Sequence, residues 1–138
     1  MSIAFTAIGE GKPLLILHGL YGTGRNWQSV ASALSNNYQL FLIDLPNHGS
    51  SIWTSEISYE DFSSHLSNFI VEQGLSDPII LGHSLGGKVA MFIALQNPHL
   101  VDRLIVVDIA PVNYNSDDQL KVINALSTIN IKQIKTRS

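Results

Sequence analysis

The chain has 138 residues, a length that suits one domain or most of one. Its residues are 45% hydrophobic and 14% charged, which supplies a packed core and excludes the composition of a disordered chain. A formal charge of −3 without a basic stripe excludes a nucleic-acid backbone as partner, and the lack of cysteine excludes disulfides, Cys-ligated zinc and thiol chemistry.

Met1 to Pro13 contains no basic segment leading into an apolar block, so no secretory signal is expected. The same stretch holds a weak strand near Ile3 to Ile8. Leu14-Leu-Ile-Leu-His18 is the first clear strand, followed by helical spacing of Trp27, Val30, Ala31 and Leu34. Tyr38 to Asp44 is the next strand. Tyr59 to Gln73 then places Tyr59, Phe62, Leu66, Phe69 and Ile70 on one stripe, with Gly74 positioned to end the helix. A strand at Pro78 to Gly82 leads to Lys88 to Gln96, apolar nearly all round and therefore expected to be buried, stopping before Pro98. Leu104 to Asp108 is the last strand.

These apolar runs are short, continuous and rich in Leu, Ile and Val, as in a parallel sheet covered on both faces. Strands alternating with helices predict an α/β fold with a mostly parallel central sheet and helices on both faces. None of the runs approaches the roughly 18 residues needed to cross a bilayer, so a soluble, cytoplasmic protein with no membrane partner is expected. Beyond Pro111 the character changes. Asp117 to Ile134 is polar with a sparse stripe of Leu120, Ile123 and Leu126, resembling a surface or cap helix. The expected division is therefore a core over 1–114 and the start of a helical cap over 115–138.

The chemistry concentrates in four turns that follow buried strands. Gly82-His83-Ser84-Leu85-Gly86, followed by Gly87, lies between a strand and a helix, the context a nucleophile elbow requires. Glycines at 82 and 86 suit a turn too tight for a Cβ. Ser84 is expected in a strained conformation with its hydroxyl above the sheet, facing the N–H groups of the next helix. The bland alternative is an ordinary serine in a glycine-rich turn. His18-Gly19-Leu20-Tyr21-Gly22 follows another strand and can lend a backbone N–H to an oxyanion hole; Leu20 and Leu85 are then the two donors. His18 reads as a loop-bonding residue rather than a base.

Asp44-Leu-Pro-Asn-His48-Gly-Ser-Ser51 is a polar turn in which Asp44 reads as a loop organiser and His48 as a residue near the site mouth. Asp108 closes its strand where functional groups gather in open parallel sheets. If its strand neighbours that of Ser84, the two side chains can flank one imidazole; otherwise Asp108 is a turn or helix-capping residue. His65, His83 and His99 carry no pattern of their own. No His-Glu-x-x-His or carboxylate cluster suggests a metal, and neither a P-loop nor Gly-x-Gly-x-x-Gly is present.

The four segments His18–Gly22, Asp44–Ser50, Gly82–Lys88 and Val107–Val112, colinear and in order, resemble the α/β-hydrolase superfamily. More narrowly they resemble esterases related to bacterial YbfF and to mitochondrial abhydrolase domain-containing protein 11. The resemblance implies hydrolysis of a small acyl ester or thioester through an acyl-serine intermediate, without a cofactor. It matches Ser84 to the nucleophile, Asp108 to the acid, and Leu20 and Leu85 to the oxyanion positions, with His18, Gly19, Gly82, His83 and Gly86 supporting the motifs. Members of that group run to about 250 residues, the scale of a whole hydrolase domain. They continue through a cap, two strands and a catalytic histidine. By that comparison the chain is an N-terminal half that lacks its general base and leaves Leu104–Val107 as an open edge. Alone it is expected to be inactive, the missing half of the fold being the partner it needs. The competing readings are a non-catalytic binding module and a truncated product without a role.

Overall fold

The computed structural model describes residues 3–114 and 116–129. Five strands form one sheet in the order β1-β3-β2-β4-β5: β1 (Phe5–Ile8), β2 (Lys12–Leu17), β3 (Tyr38–Ile43), β4 (Ile79–His83) and β5 (Arg103–Val107). All neighbouring pairs are parallel except β1 with β3, where Phe5 lies opposite Ile43. The short loop after β1 turns the chain back into β2, and because β2 runs parallel to β3 this leaves β1 antiparallel to β3, whereas the parallel pairs need helical crossovers. Those crossovers are α1 (Gln28–Leu34), α2 (Tyr59–Glu72) and α3 (Leu85–Gln96).

Strand alternation divides the apolar residues into two layers. Leu15, Leu17, Phe41, Ile43 and Ile80 face α2 and α3, meeting Phe62, Leu66, Phe69, Val89 and Ile93. Leu14, Ile16, Leu40, Leu42 and Ile79 point the other way, onto Ala31 of α1, with Trp27 and Leu34 at the rim. Helices on both faces of β2 and β3 are what made those strands read as unbroken apolar runs. The start of α2 is held by a reciprocal pair: Ser58 Oγ accepts from the Asp61 N–H, and the Asp61 carboxylate accepts from the Ser58 N–H. Gly74 at φ 62° follows its last turn.

Several expectations need correction. Burial on both faces holds for the central strands only; β1, the weak strand, is largely exposed, and Leu104 and Ile105 of the apolar run in β5 are exposed, in keeping with the open edge expected there. Apolarity reports that a strand belongs to a core, not that a neighbour covers it. The helix expected from Lys88 begins at Leu85, directly after Ser84, so Gly86 and Gly87 are helical despite their low propensity. Nor is α3 buried all round, since Leu95 is 81% exposed while Val89, Ala90 and Ile93 are fully buried. A short 3₁₀ turn, Gly24–Trp27, precedes α1, in which Ala31 alone is buried and Val30 is exposed.

The polar helix after the core is α4 (Ser116–Ser127), with Leu120, Ile123 and Leu126 exposed. Residues 130–134 of its expected span lie outside the described residues. Among the described residues no helix is long and apolar enough to cross a membrane.

Candidate active site

Ser84 stands between β4 and α3 at φ 50° and ψ −115°, a conformation L residues disfavour. Its backbone is pinned on both sides: its N–H donates to the Val107 carbonyl at 3.0 Å and its carbonyl accepts from the Lys88 N–H at 3.1 Å. The strain persists because the elbow has no slack. A Cβ placed on Gly82 would lie 2.2 Å from the Gly86 carbonyl oxygen, and one on Gly86 would lie 2.3 Å from the Leu17 carbonyl oxygen. The Ser84 hydroxyl makes no helix-capping bond, which leaves it free for other work.

The His18–Gly22 loop is tied to this elbow. The Gly86 N–H donates to the His18 carbonyl at 3.1 Å, which joins the first turn of α3 to the root of the loop. The loop is closed by the Gly22 N–H on the Gly19 carbonyl at 3.0 Å, with Tyr21 at φ 61°. Gly19 passes so close to the elbow that a Cβ there would come within 3.3 Å of the Ser84 Cβ. Leu20 and Leu85 line one shared cavity.

His18 is 1% exposed and has both ring nitrogens occupied. Nε2 accepts from the Leu45 N–H at 3.0 Å, so the neutral ring carries its proton on Nδ1 and donates it to the Gly19 carbonyl at 2.8 Å. Burial holds its pKa below the ordinary imidazole value, and His48, whose ring centroid is 5.0 Å away, acts in the same sense. The Gly19 hydrogen bond and the Asp44 charge oppose them without reversing the direction.

A ring kept neutral in the folded state but free to protonate when unfolded destabilises the fold in acid. Stability should therefore be level above about pH 7 and fall below about pH 6.5, by at most about 1.4 kcal/mol per pH unit from this group. Urea midpoints across that range test this. The acid-side fall should be smaller in His18→Gln, and identical slopes in the two proteins would clear His18 of any part in it.

Asp44 bonds loops from two strands rather than its own turn alone: Oδ1 accepts from the Gly24 N–H at 2.8 Å and Oδ2 from the Ser50 N–H at 2.9 Å. The buried Ser51 continues this network, donating to the Asp44 carbonyl and accepting from the Ala4 N–H. Both carboxylate oxygens of Asp44 are thus engaged by loop N–H groups. His48 reaches the cavity wall with Nδ1 on the Pro46 carbonyl at 3.0 Å.

β4 and β5 are neighbours with His83 opposite Val107, which brings Ser84 alongside Asp108 at the carboxyl ends of both strands. Asp108 is at φ 56° with its side chain 86% exposed, and its Oδ2 is 3.8 Å from His83 Nε2. The segment after it folds back on α3: Lys88 Nζ donates to the Val112 carbonyl at 2.9 Å and sits over the Tyr114 ring, whose hydroxyl accepts from the Ala110 N–H. His65 lies across the molecule near Glu72, and His99 lies in the turn after α3. Among the described residues no histidine hydrogen-bonds the Ser84 hydroxyl.

The sequence reading missed the cavity's outer wall. Besides Leu20, Tyr21 and Leu85, a cavity of about 560 Å³ is lined by Trp53, Ile57 and Phe62. Trp53 and Ile57 come from an irregular stretch without periodicity; the one available signal was an unexplained tryptophan in a serine-rich loop.

Known proteins share this fold. A solved structure of a marine microorganism esterase superposes with a TM-score of 0.91 at 44% identity, covering 99% of this chain and 54% of that one. The sn-1-specific diacylglycerol lipase ABHD11 of Danio rerio is 39% identical over 109 residues, 78% of this chain and 34% of its own length. Ethanol acetyltransferase 1 of Wickerhamomyces anomalus is 31% identical over 107 residues, 76% of this chain and 27% of its own. The chain thus spans about a third of the length of these curated relatives. A family model described as the alpha/beta hydrolase fold matches residues 12–128, and by that span and these identities the chain belongs to the α/β-hydrolase family.

Proposed function

We propose that the chain carries the nucleophile, the acid and the oxyanion donors of a serine hydrolase acting on carboxylic esters or thioesters. One observation carries the reading: Ser84 is held at φ 50° and ψ −115° with a hydroxyl that caps nothing. A binding pocket without chemistry has no use for that strain, which favours catalysis over a ligand-holding module.

In this scheme Ser84 Oγ attacks the acyl carbon while its proton passes to an imidazole oriented by Asp108. The oxyanion accepts hydrogen bonds from the Leu20 and Leu85 N–H groups. Collapse of the tetrahedral intermediate breaks the bond to the alcohol or thiol, which leaves with the imidazole's proton. Water then attacks the acyl-serine, giving one proton back to the imidazole, and the carboxylic acid departs as Ser84 Oγ recovers its hydrogen. No cofactor enters these steps.

The imidazole belongs to polypeptide outside residues 1–138, the remainder of the fold being the partner this half requires. The Danio rerio relative carries a lipase name and the marine microorganism relative an esterase name, which agrees with the substrate class.

A fluorophosphonate probe tests the scheme. The full-length product containing this chain should be labelled on Ser84, and Ser84→Ala should remove the label. The 138-residue chain alone should react slower by roughly three orders of magnitude or more, as serine enzymes do without their base. A label that survives Ser84→Ala, or its absence from the full-length protein, overturns the reading.

A further inference from the structure

Lys88 bonds both to the residue of the proposed nucleophile and to the segment that follows the proposed acid. It is partly buried in the first turn of α3. Its N–H donates to the Ser84 carbonyl at 3.1 Å, so its backbone helps to hold the strained residue. Its side chain reaches a different part of the chain. Nζ donates to the Val112 carbonyl at 2.9 Å and lies 4.8 Å from the centroid of the Tyr114 ring. The Tyr114 hydroxyl in turn accepts from the Ala110 N–H at 3.0 Å, close after Asp108. Ile109 rests on the same helix, where its Cγ2 would meet a Cβ on Gly87 at 2.5 Å.

These contacts matter because Asp108 has little else to hold it. Its backbone is at φ 56°, which L residues disfavour, and its side chain is 86% exposed. Among the described residues the partner of its carboxylate is His83 Nε2 at 3.8 Å, beyond hydrogen-bond length. A carboxylate that orients an imidazole works only within a fraction of an ångström of its place. The position of Asp108 is therefore set by the segment after it, which Ile109, Val112 and Tyr114 lay against α3. A lysine serving solubility alone would keep its ammonium in water. This one directs it at a carbonyl and an aromatic face of a single segment.

We propose that Lys88 is a positioning residue: it ties the segment after Asp108 to the helix that begins beside Ser84, and so fixes the spacing of acid and nucleophile. The role rests on Ser84 and Asp108 being that nucleophile and acid.

The test uses the full-length product containing this chain. Lys88→Met keeps the aliphatic stem and removes the ammonium. It should lower kcat for ester hydrolysis about ten- to a hundredfold, the cost of a small misplacement of a catalytic group, and leave KM within about twofold. The acid limb of the kcat/KM profile is the second readout, since it reports protonation of the imidazole that Asp108 orients. A close carboxylate raises an imidazole's pKa, and a loosened one raises it less, so the limb should move to lower pH by roughly half a unit. Lys88→Arg, which can also donate to the carbonyl and stack on the ring, should recover most of kcat and restore the limb. Tyr114→Phe keeps the ring and loses the Ala110 bond, and should move the limb in the same direction by less.

A parent-like kcat in Lys88→Met, or a fall that Lys88→Arg shares, overturns the proposal while fluorophosphonate labelling of Ser84 stands. So does an acid limb that stays in place in Lys88→Met or in Tyr114→Phe, because a merely structural role lowers the profile without displacing it. Absence of labelling in the unmutated full-length protein removes the hydrolytic reading, and the role of Lys88 falls with it.

Discussion

Ser84→Gly should stabilise the chain and, in the full-length protein, abolish the chemistry proposed for Ser84. The stabilisation follows from backbone geometry. At φ 50° and ψ −115° a side chain costs about 1–3 kcal/mol, whereas glycine occupies the mirror-image β region without penalty. The greater freedom glycine loses on folding takes back about 0.5–1 kcal/mol. Nothing else is given up, because the hydroxyl caps no helix and both bonds at Ser84 are made by its backbone. The net gain of about 1 kcal/mol corresponds to a rise in melting temperature of roughly 4 °C for a domain of this size. Ser84→Ala is the control, since it keeps the Cβ and should melt where the parent does.

Both variants should lose fluorophosphonate labelling in the full-length protein, with ester turnover down on the order of a millionfold. A glycine variant that melts lower than the alanine variant would mean that the elbow is relaxed and that strain is no sign of function here.

The central sheet was readable because β2 and β3 are covered on both faces, and double cover leaves an unbroken apolar run in the sequence. β5 carries comparably apolar side chains yet lies at the sheet edge, a property of neighbours that local composition does not encode, whereas β1 reads weaker because Thr6 and Ala7 interrupt it. The start of α3 was placed late for a related reason. Gly86 and Gly87 look like helix breakers in sequence, but the packing of the elbow overrides their propensity.

At the site, the turn glycines and the ends of strands were legible because tight turns demand particular residue types. The reach of Asp44 to Gly24 and Ser50 was not, since it joins loops from two different strands. Trp53 and Ile57 were invisible as a cavity wall because residues between Asp44 and Ser58 have neither a helical nor a strand period.

The glycines of the elbow should rank by what a methyl group would strike. In Gly82→Ala the new Cβ meets backbone alone: the Gly86 carbonyl oxygen at 2.2 Å, its carbon at 2.5 Å and the Gly87 nitrogen at 2.6 Å. In Gly86→Ala it meets the Leu17 and His18 carbonyl oxygens at 2.3 and 2.6 Å. Relief in either case requires α3 to lift from β2 and β4, and a packed core of this kind resists such a shift at a cost of about 3 kcal/mol or more. Gly87→Ala differs because its nearest contact is the Ile109 side chain at 2.5 Å, a group that can turn aside. Alanine's better helix propensity, about 1 kcal/mol at most, offsets part of that adjustment.

Thermal melts should therefore place Gly82→Ala and Gly86→Ala roughly 10 °C or more below the parent and Gly87→Ala close to it. The first two should also lose reactivity at Ser84 even where they remain folded. Lifting α3 breaks the Gly86 N–H to His18 carbonyl bond that ties the Leu20 loop to the turn carrying Ser84, the proposed nucleophile. If all three variants melt alike, the close approach of α3 to the sheet is not what holds the elbow, and the two proposed oxyanion donors lose their common anchor.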